Sequence, residues 1–136
     1  MFVSGSVYVF LRTGDEWAGQ QKLVPLDAGN WEFFGSSVSI DGDTIVAGAP
    51  KDTRWEGEYL GAAYVFVRSG NDWAQHEKLI ASDAASWADF GGSVSIDGGL
   101  AVVGALGIAR SVSGETRQGS CVAVTAGGRR CARRCG

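Results

Sequence analysis

Cysteine and histidine are nearly absent from the first 106 of the 136 residues in this chain. This part holds no cysteine and one histidine, His76, which falls on a predicted strand among polar neighbours. It therefore offers no disulfide, no cysteine nucleophile and no histidine cluster for acid–base chemistry. No G-x-S-x-G, H-E-x-x-H or phosphate-binding motif occurs either. These absences predict a protein that is not an enzyme.

Long apolar runs are also missing, because no stretch approaches the roughly 18 residues that a membrane span needs. The apolar start, MFVSGSVYVFL, lacks a basic region and a small-residue cleavage site, so we expect a strand there and no signal peptide. No segment has a long 3.6-residue apolar period. The composition, with 21 glycines, two prolines and five tryptophans, favours β-structure with many turns.

What the chain does contain is a repeat with an offset of 56 residues. FGSSVSIDGDTIVAGAP, from Phe34 to Pro50, returns as FGGSVSIDGGLAVVGAL, from Phe90 to Leu106. The match begins at Gly5, which pairs with Gly61, and a period of this size indicates units that stack on one another.

Each unit reads as four short strands, and the first copy supplies their limits. These are Tyr8–Arg12, Trp17–Leu23, Ser37–Ile40 and Thr44–Ala49. Asp41-Gly42 predicts a type I′ hairpin turn. The predicted fold is all-β: two four-stranded antiparallel blades of a partial β-propeller with an irregular C-terminal tail. The units are 1–60 and 61–106, and the tail is 107–136.

The pair Phe34-Gly35, followed by Gly48-Ala49-Pro50, resembles the FG-GAP repeat of integrin-type β-propellers, in its bacterial version. The YVF and W…KL strands and the second copy strengthen this resemblance, which covers about residues 5–106. It implies a β-propeller in a secreted or cell-surface protein whose loops bind other proteins or glycans. The alternative is part of a propeller-type hydrolase or lyase with its catalytic residues in other blades.

The aromatic residues that recur in register are first expected to pack between blades: Trp17/Trp73, Trp31/Trp87 and Phe34/Phe90. If the module binds a ligand through aromatic platforms, the candidates are Trp31, Trp55 and Trp87. Trp55 has no partner in the repeat. It lies in the loop 51–60, which together with the loop 27–33 is the predicted binding region.

No cofactor is expected, although integrin-type propellers often bind calcium through acidic loops. The carboxylates available for such a site here are Asp41, Asp43 and Asp52. A two-residue hairpin presents too few oxygens for the six to eight ligands that calcium takes. The second copy also has Gly99 in place of Asp43.

The tail differs in composition from the rest of the chain. Residues 1–106 carry six Lys/Arg and 14 Asp/Glu (6 − 14 = −8), whereas residues 107–136 carry six Arg and one Glu (6 − 1 = +5) and all three cysteines. Three cysteines without a histidine fall short of a zinc site, and nucleic-acid binding is not expected. Gly119–Val124 reads either as a degraded third copy of Gly5–Phe10 or as part of an out-of-frame segment.

Two blades leave sheet edges open, and closed propellers have about four to eight blades. The chain is therefore expected to be a fragment of a longer propeller, or a protomer that closes a ring by head-to-tail association. The expected partners are the remaining blades or further copies, together with a protein or glycan ligand.

Overall fold

The fold was examined in a computed structural model of the chain. It describes residues 4–29, 32–53, 58–83 and 86–106 in full, and the backbone of four short strands within 109–131. These residues form strands, turns and loops, and no helix that could cross a membrane occurs among them. The predicted all-β class is confirmed.

Eight strands lie in the fully described part. They are β1 (Val7–Thr13), β2 (Glu16–Leu23), β3 (Ser37–Asp41), β4 (Thr44–Ala49), β5 (Ala62–Ser69), β6 (Asp72–Leu79), β7 (Phe90–Asp97) and β8 (Leu100–Ala105). Four further strands are described by their backbone alone: β9 (Ala109–Arg110), β10 (Thr116–Arg117), β11 (Cys121–Thr125) and β12 (Arg130–Cys131). The four strands predicted for each copy are all present.

Each of the four β-hairpins within the repeats closes with a two-residue turn that begins with glycine. These glycines have positive φ: Gly14 (64°), Gly42 (54°), Gly70 (62°) and Gly98 (56°). The second turn residue, such as Asp43, does not have positive φ. The prediction of a type I′ turn is therefore wrong, since that type needs positive φ at both positions. Glycine first, with positive φ there alone, is typical of type II′.

The sheets and the sequence units are out of phase. One four-stranded antiparallel sheet has the order β3-β4-β5-β6, and thus joins the end of the first unit to the start of the second. The other has the order β7-β8-β11-β12, while β1 and β2 form a two-stranded sheet. Two four-stranded antiparallel sheets were predicted and are present, but a sheet is not made by one unit, as the repeat had suggested. The unit limits 1–60 and 61–106 stay a prediction about the sequence repeat.

The core consists of two layers, one on each face of the β3–β6 sheet. On one face Tyr64, Phe66 and Trp73 pack with Val9 and Leu23 of the two-stranded sheet. On the other face the buried residues come from β4 and β5 and from the following sheet: Val46, Ala63, Phe90, Ala101 and Val103. A sheet that is buried on both faces needs another sheet packed against each face.

The FG and GAP motifs lie at the contact between neighbouring sheets. The Gly35 N–H donates to the Gly48 carbonyl at 2.9 Å, which joins the two motifs within one unit. The Phe34 side chain is buried and meets Tyr64 edge-on, with 5.6 Å between ring centroids. Phe34 and Phe90 therefore occupy packing positions, as expected for aromatic residues that recur in register.

The tail supplies two strands, β11 and β12, to the last sheet. β11 pairs with β8 so that Cys121 lies opposite Gly104, just as Ala63 lies opposite Gly48 in the preceding sheet. This is the place that the third-copy interpretation gives to Gly119–Val124. The pairing does not test whether the tail is an out-of-frame segment, because that interpretation concerns the origin of its sequence.

Candidate functional site

The three long loops of the repeats meet at one end of the sheets, which we call the loop end. They connect β2 to β3, β4 to β5 and β6 to β7. Because successive strands run in opposite directions, the glycine hairpin turns all lie at the other end. A backbone hydrogen bond from the Lys51 N–H to the Glu32 carbonyl, 3.2 Å long, ties the first two loops together.

Trp87 is the one predicted ligand-binding candidate that lies among the described residues. Its side chain is 55% exposed and packs against Tyr59, with 4.6 Å between ring centroids and planes tilted by 50°. The Trp87 N–H also donates to the Tyr59 carbonyl at 2.7 Å. The indole is thus packed against Tyr59 while about half of its surface stays exposed to solvent.

Charged groups flank this aromatic pair. Lys51 forms an ion pair with Asp89, and its ammonium nitrogen lies 5.5 Å from the centre of the Trp87 ring. Both charged side chains are only about one-third exposed, at 29% and 35%. We call this group the Trp87 patch. It consists of an aromatic ring beside a cation and a carboxylate, formed by Trp87, Tyr59, Lys51 and Asp89.

The backbone around the patch adopts an unusual conformation. Trp87 and Asp89 have φ of 66° and 51°, and Phe33, the counterpart of Asp89 in the first unit, has φ of 55°. Residues with a Cβ rarely adopt such values, and the strain persists only where the surroundings fix it. The Trp87 ring is therefore presented by a constrained loop.

Beneath the loops lies a buried polar network centred on Asp52. Its Oδ2 atom accepts from the Tyr64 hydroxyl at 2.7 Å and from the Lys78 ammonium at 2.9 Å. Lys78 also donates to Asp27 at 2.6 Å. Burial alone would lower the pKa of Lys78, but the hydrogen bonds to Asp27 and Asp52 raise it above its ordinary value. The network fixes the β4–β5 loop, whose Leu60 N–H donates to the Asp52 carbonyl.

Glu32 is a second buried acid at the loop end. Its Oε2 atom has no hydrogen-bond partner in the part of the chain that the structure describes. Burial raises the pKa of this carboxyl, a backbone hydrogen bond from Gly29 opposes the rise, and the Asp52 charge adds to it. At neutral pH the ionised form is therefore poorly accommodated.

We expect Glu32→Gln to raise the free energy of unfolding by about 1 kcal/mol at pH 7, because it removes a buried charge with an unpaired oxygen. A glutamate whose pKa rises on folding destabilises the fold above its ordinary pKa, and this cost disappears as the pH falls. The increase in the free energy of unfolding caused by Glu32→Gln should therefore disappear as the pH falls toward about 4. Urea titrations over this range check the prediction, with the exposed Glu16→Gln as control. A less stable Glu32→Gln protein at pH 7 would contradict it.

The carboxylates considered for calcium lie apart and are engaged elsewhere. Asp43 accepts from the Arg68 guanidinium at 2.8 and 2.5 Å, and Asp41 accepts from the Gly98 N–H, both at the hairpin end. Asp52 is buried at the loop end. Within the described ranges no group of three or more His, Cys, Asp or Glu side chains could hold a metal ion. The structure does not bring these three carboxylates into one site.

The other aromatic candidates have different outcomes. Trp31 and Trp55 lie outside the described residues. Trp73 is buried, as expected of a packing position. Its counterpart Trp17 and the loop residue Trp87 are largely exposed, so the expectation of packing between blades is wrong for these two. The sequence reasoning missed Lys51, Tyr59 and Asp89, because none of them has a like residue at the matching position of the other unit.

Comparison with known proteins places the repeat in a family. The family model described as FG-GAP repeat matches residues 17–66 and again residues 73–122. The two matches together cover about three-quarters of the chain. A comparison with curated proteins found no significant match.

Proposed function

Since the chain belongs to the FG-GAP repeat family, we propose that it is a non-enzymatic β-propeller module that binds a protein or glycan ligand at its loop end. We also propose that the protein lies at the cell surface or outside the cell, where repeats of this family typically occur. The proposal also includes a place in a closed propeller of about four to eight blades, completed by further repeats or by further copies of the chain.

The Trp87 patch is the observation that carries the proposal. An aromatic ring packed against Tyr59, half open to solvent and edged by a cation and a carboxylate, offers both stacking and hydrogen bonding. Tryptophan is enriched among residues that dominate binding energies, and aromatic rings with polar neighbours also suit sugar rings. The constrained backbone lowers the entropy that a ligand would have to remove.

A binding role is favoured over a hydrolase or lyase by the state of the acids at the loop end. Asp52 and Asp27 are held by Lys78, and Asp89 is held by Lys51. Catalytic acids and bases have to reach a substrate proton. Asp27 and Asp89 are arranged to hold loops, and Asp52 and Glu32 are buried, with 1% and 3% of their surface exposed.

Trp87→Ala should weaken ligand binding at least tenfold, the loss expected of a residue at a binding hot spot. The full chain would be applied in parallel to a glycan array and to an array of purified extracellular proteins. Leu100→Ala is the matched control, because it removes an exposed apolar side chain at the opposite end of the sheets.

The two arrays separate the ligand classes. Signals on the glycan array that are lost in Trp87→Ala would identify a lectin-like module, and signals confined to the protein array would exclude it. Binding that Trp87→Ala and Leu100→Ala reduce equally would contradict a ligand site at the loop end. Two blank arrays would remove the support for a binding module.

A further inference from the structure

Strand β1 is paired on one side only. β1 pairs with β2, and the other edge of β1 faces no strand within the described ranges. Its counterpart β5 is paired on both sides, with β4 and with β6. An open edge beside an apolar surface is a template for pairing with another strand.

The face of β1 and β2 that points away from the core carries three large aromatic side chains beside Arg12 and Lys22. Three aromatic side chains on it are largely exposed: Tyr8 (60%), Phe10 (57%) and Trp17 (67%). Their counterparts in the second unit are buried: Tyr64 (0%), Phe66 (2%) and Trp73 (5%). The same three positions therefore form a core in one unit and an uncovered surface in the other.

A less completely covered apolar surface lies on the face of the β3–β6 sheet that points away from β1 and β2. Val65 and Leu79, on the face of the β3–β6 sheet that meets the last sheet, are only partly buried. Their counterparts Val9 and Leu23 are buried beneath Tyr64, Phe66 and Trp73. Val65 and Leu79 thus lack the aromatic cover that the exposed face of β1 and β2 carries.

We propose that copies of this chain join by strand addition, with β1 of one copy pairing with β8 of the next. The register is the one in which β5 pairs with β4, so that Val9 of one copy lies opposite Val102 of the other. Tyr8 and Phe10 then cover Val65 and Leu79. The proposed contact therefore continues the sheet-to-sheet packing seen inside the chain.

Strand β11 of the same chain occupies this edge of β8, so β1 has to displace it. In the shared register, β11 has Val122 and Val124 at the positions where β5 has Tyr64 and Phe66. β1 has Tyr8 and Phe10 there. Because buried aromatic rings remove far more apolar area from water than valine does, β1 is the better occupant.

Such a contact joins two different surfaces and so runs head to tail. Each copy then contributes two blades: its own β3–β6 sheet, and a sheet made of β7 and β8 with β1 and β2 of the next copy. With about four to eight blades in a closed propeller, a closed ring takes two to four copies. The inference does not depend on the ligand proposed for the loop end.

Disulfide trapping in the full-length chain tests the register. The chain would carry Val9→Cys and Val102→Cys, with Cys121, Cys131 and Cys135 changed to serine. Residues opposite each other in an antiparallel pair have Cα atoms about 4.5–5.5 Å apart, within the range of a disulfide. Within one copy the two positions cannot meet, because the β3–β6 sheet lies between their sheets.

The control carries Lys22→Cys in place of Val9→Cys, since Lys22 lies on β2, one strand further from β8. We expect mild oxidation to link the Val9/Val102 variant into dimers and higher species at least tenfold faster than this control. Equal rates for the two variants would overturn the proposal.

Sedimentation of the unmodified chain provides the second measurement. We expect concentration-dependent assembly that Phe10→Asp weakens at least tenfold and that Leu26→Asp, an exposed site outside both surfaces, leaves unchanged. Circular dichroism confirms that each variant is folded. A chain that stays monomeric at all concentrations would also overturn the proposal and would assign the β1 edge to a neighbouring repeat of a longer protein.

Discussion

Gly48→Ala should lower the free energy of unfolding by about 3 kcal/mol or more, the upper range for overpacking a core. Gly48 is buried in β4, and an added methyl group would overlap the Gly91 carbonyl oxygen of the neighbouring sheet and the Ser37 hydroxyl. That carbonyl is fixed, since it accepts a hydrogen bond from Ser37 at 2.8 Å. The two sheets would have to separate, and urea denaturation monitored by tryptophan fluorescence would measure the loss.

The repeat supplies a matched control for this change. Gly104 occupies the same position in the second unit, but among the described residues an added methyl group there would come too close only to the Ser93 hydroxyl, with the Ser93 carbonyl oxygen at an ordinary contact distance of 3.7 Å. A serine hydroxyl can rotate away, so Gly104→Ala should cost less than about 1 kcal/mol. Similar losses for Gly48→Ala and Gly104→Ala would show that close packing against Gly91 does not hold the sheets together.

Asp52→Ala should cost about 3 kcal/mol, because it leaves the Tyr64 hydroxyl and one side of the Lys78 ammonium without a partner in a buried region. Lys78 keeps its hydrogen bond to Asp27, so the loss should lie at the low end for a broken buried pair. Thermal or urea unfolding gives the value, and faster hydrogen exchange at Leu60 would locate the damage in the β4–β5 loop.

Asp43→Ala is the comparison for the Asp52 network. Asp43 also pairs with a basic side chain, Arg68, but its own side chain is 62% exposed. Ion pairs at the surface contribute about 0–1 kcal/mol, so this variant should remain close to the wild-type stability. If Asp43→Ala proved as costly as Asp52→Ala, burial would not be the source of the Asp52 effect.

The individual hairpins could be predicted from the sequence, because alternating apolar residues and a glycine turn are local signals. Ser37–Ile40 and Thr44–Ala49 are read correctly for this reason. The type of the turn could not be read from Asp41-Gly42 alone, since the register decides which residues form its centre. With Asp41 opposite Thr44, the central residues are Gly42 and Asp43.

The grouping of hairpins into sheets could not be read from the repeat. A period of 56 residues is the same wherever the unit is taken to begin, so β1–β4 and β3–β6 are equally good four-strand sets. The pairing of β4 with β5 decides between them, and it depends on contacts between residues distant from the local turns.

The candidate site was predictable only in part. Trp87 stands out as a recurring tryptophan in a loop, and the loops 27–33 and 51–60 were expected to contribute. The ion pair of Lys51 with Asp89 joins loops 38 residues apart and has no equivalent in the first unit, where Phe33 replaces Asp89. Repetition reveals shared packing positions, and it gives no signal for a feature that one unit alone possesses.

Because the β3–β6 sheet joins strands from two consecutive repeats, it can be completed only after the start of the second repeat has been synthesised. The β3–β4 hairpin emerges from the ribosome before β5 and β6 do, and ribosomes add about 5–20 residues per second. For a time on the order of seconds, the β4 edge is therefore unpaired and exposed to other nascent chains. A pause in translation while β4 is outside the ribosome and β5 is still inside it would prolong this exposure, whereas a pause after β6 has emerged would leave the sheet already paired.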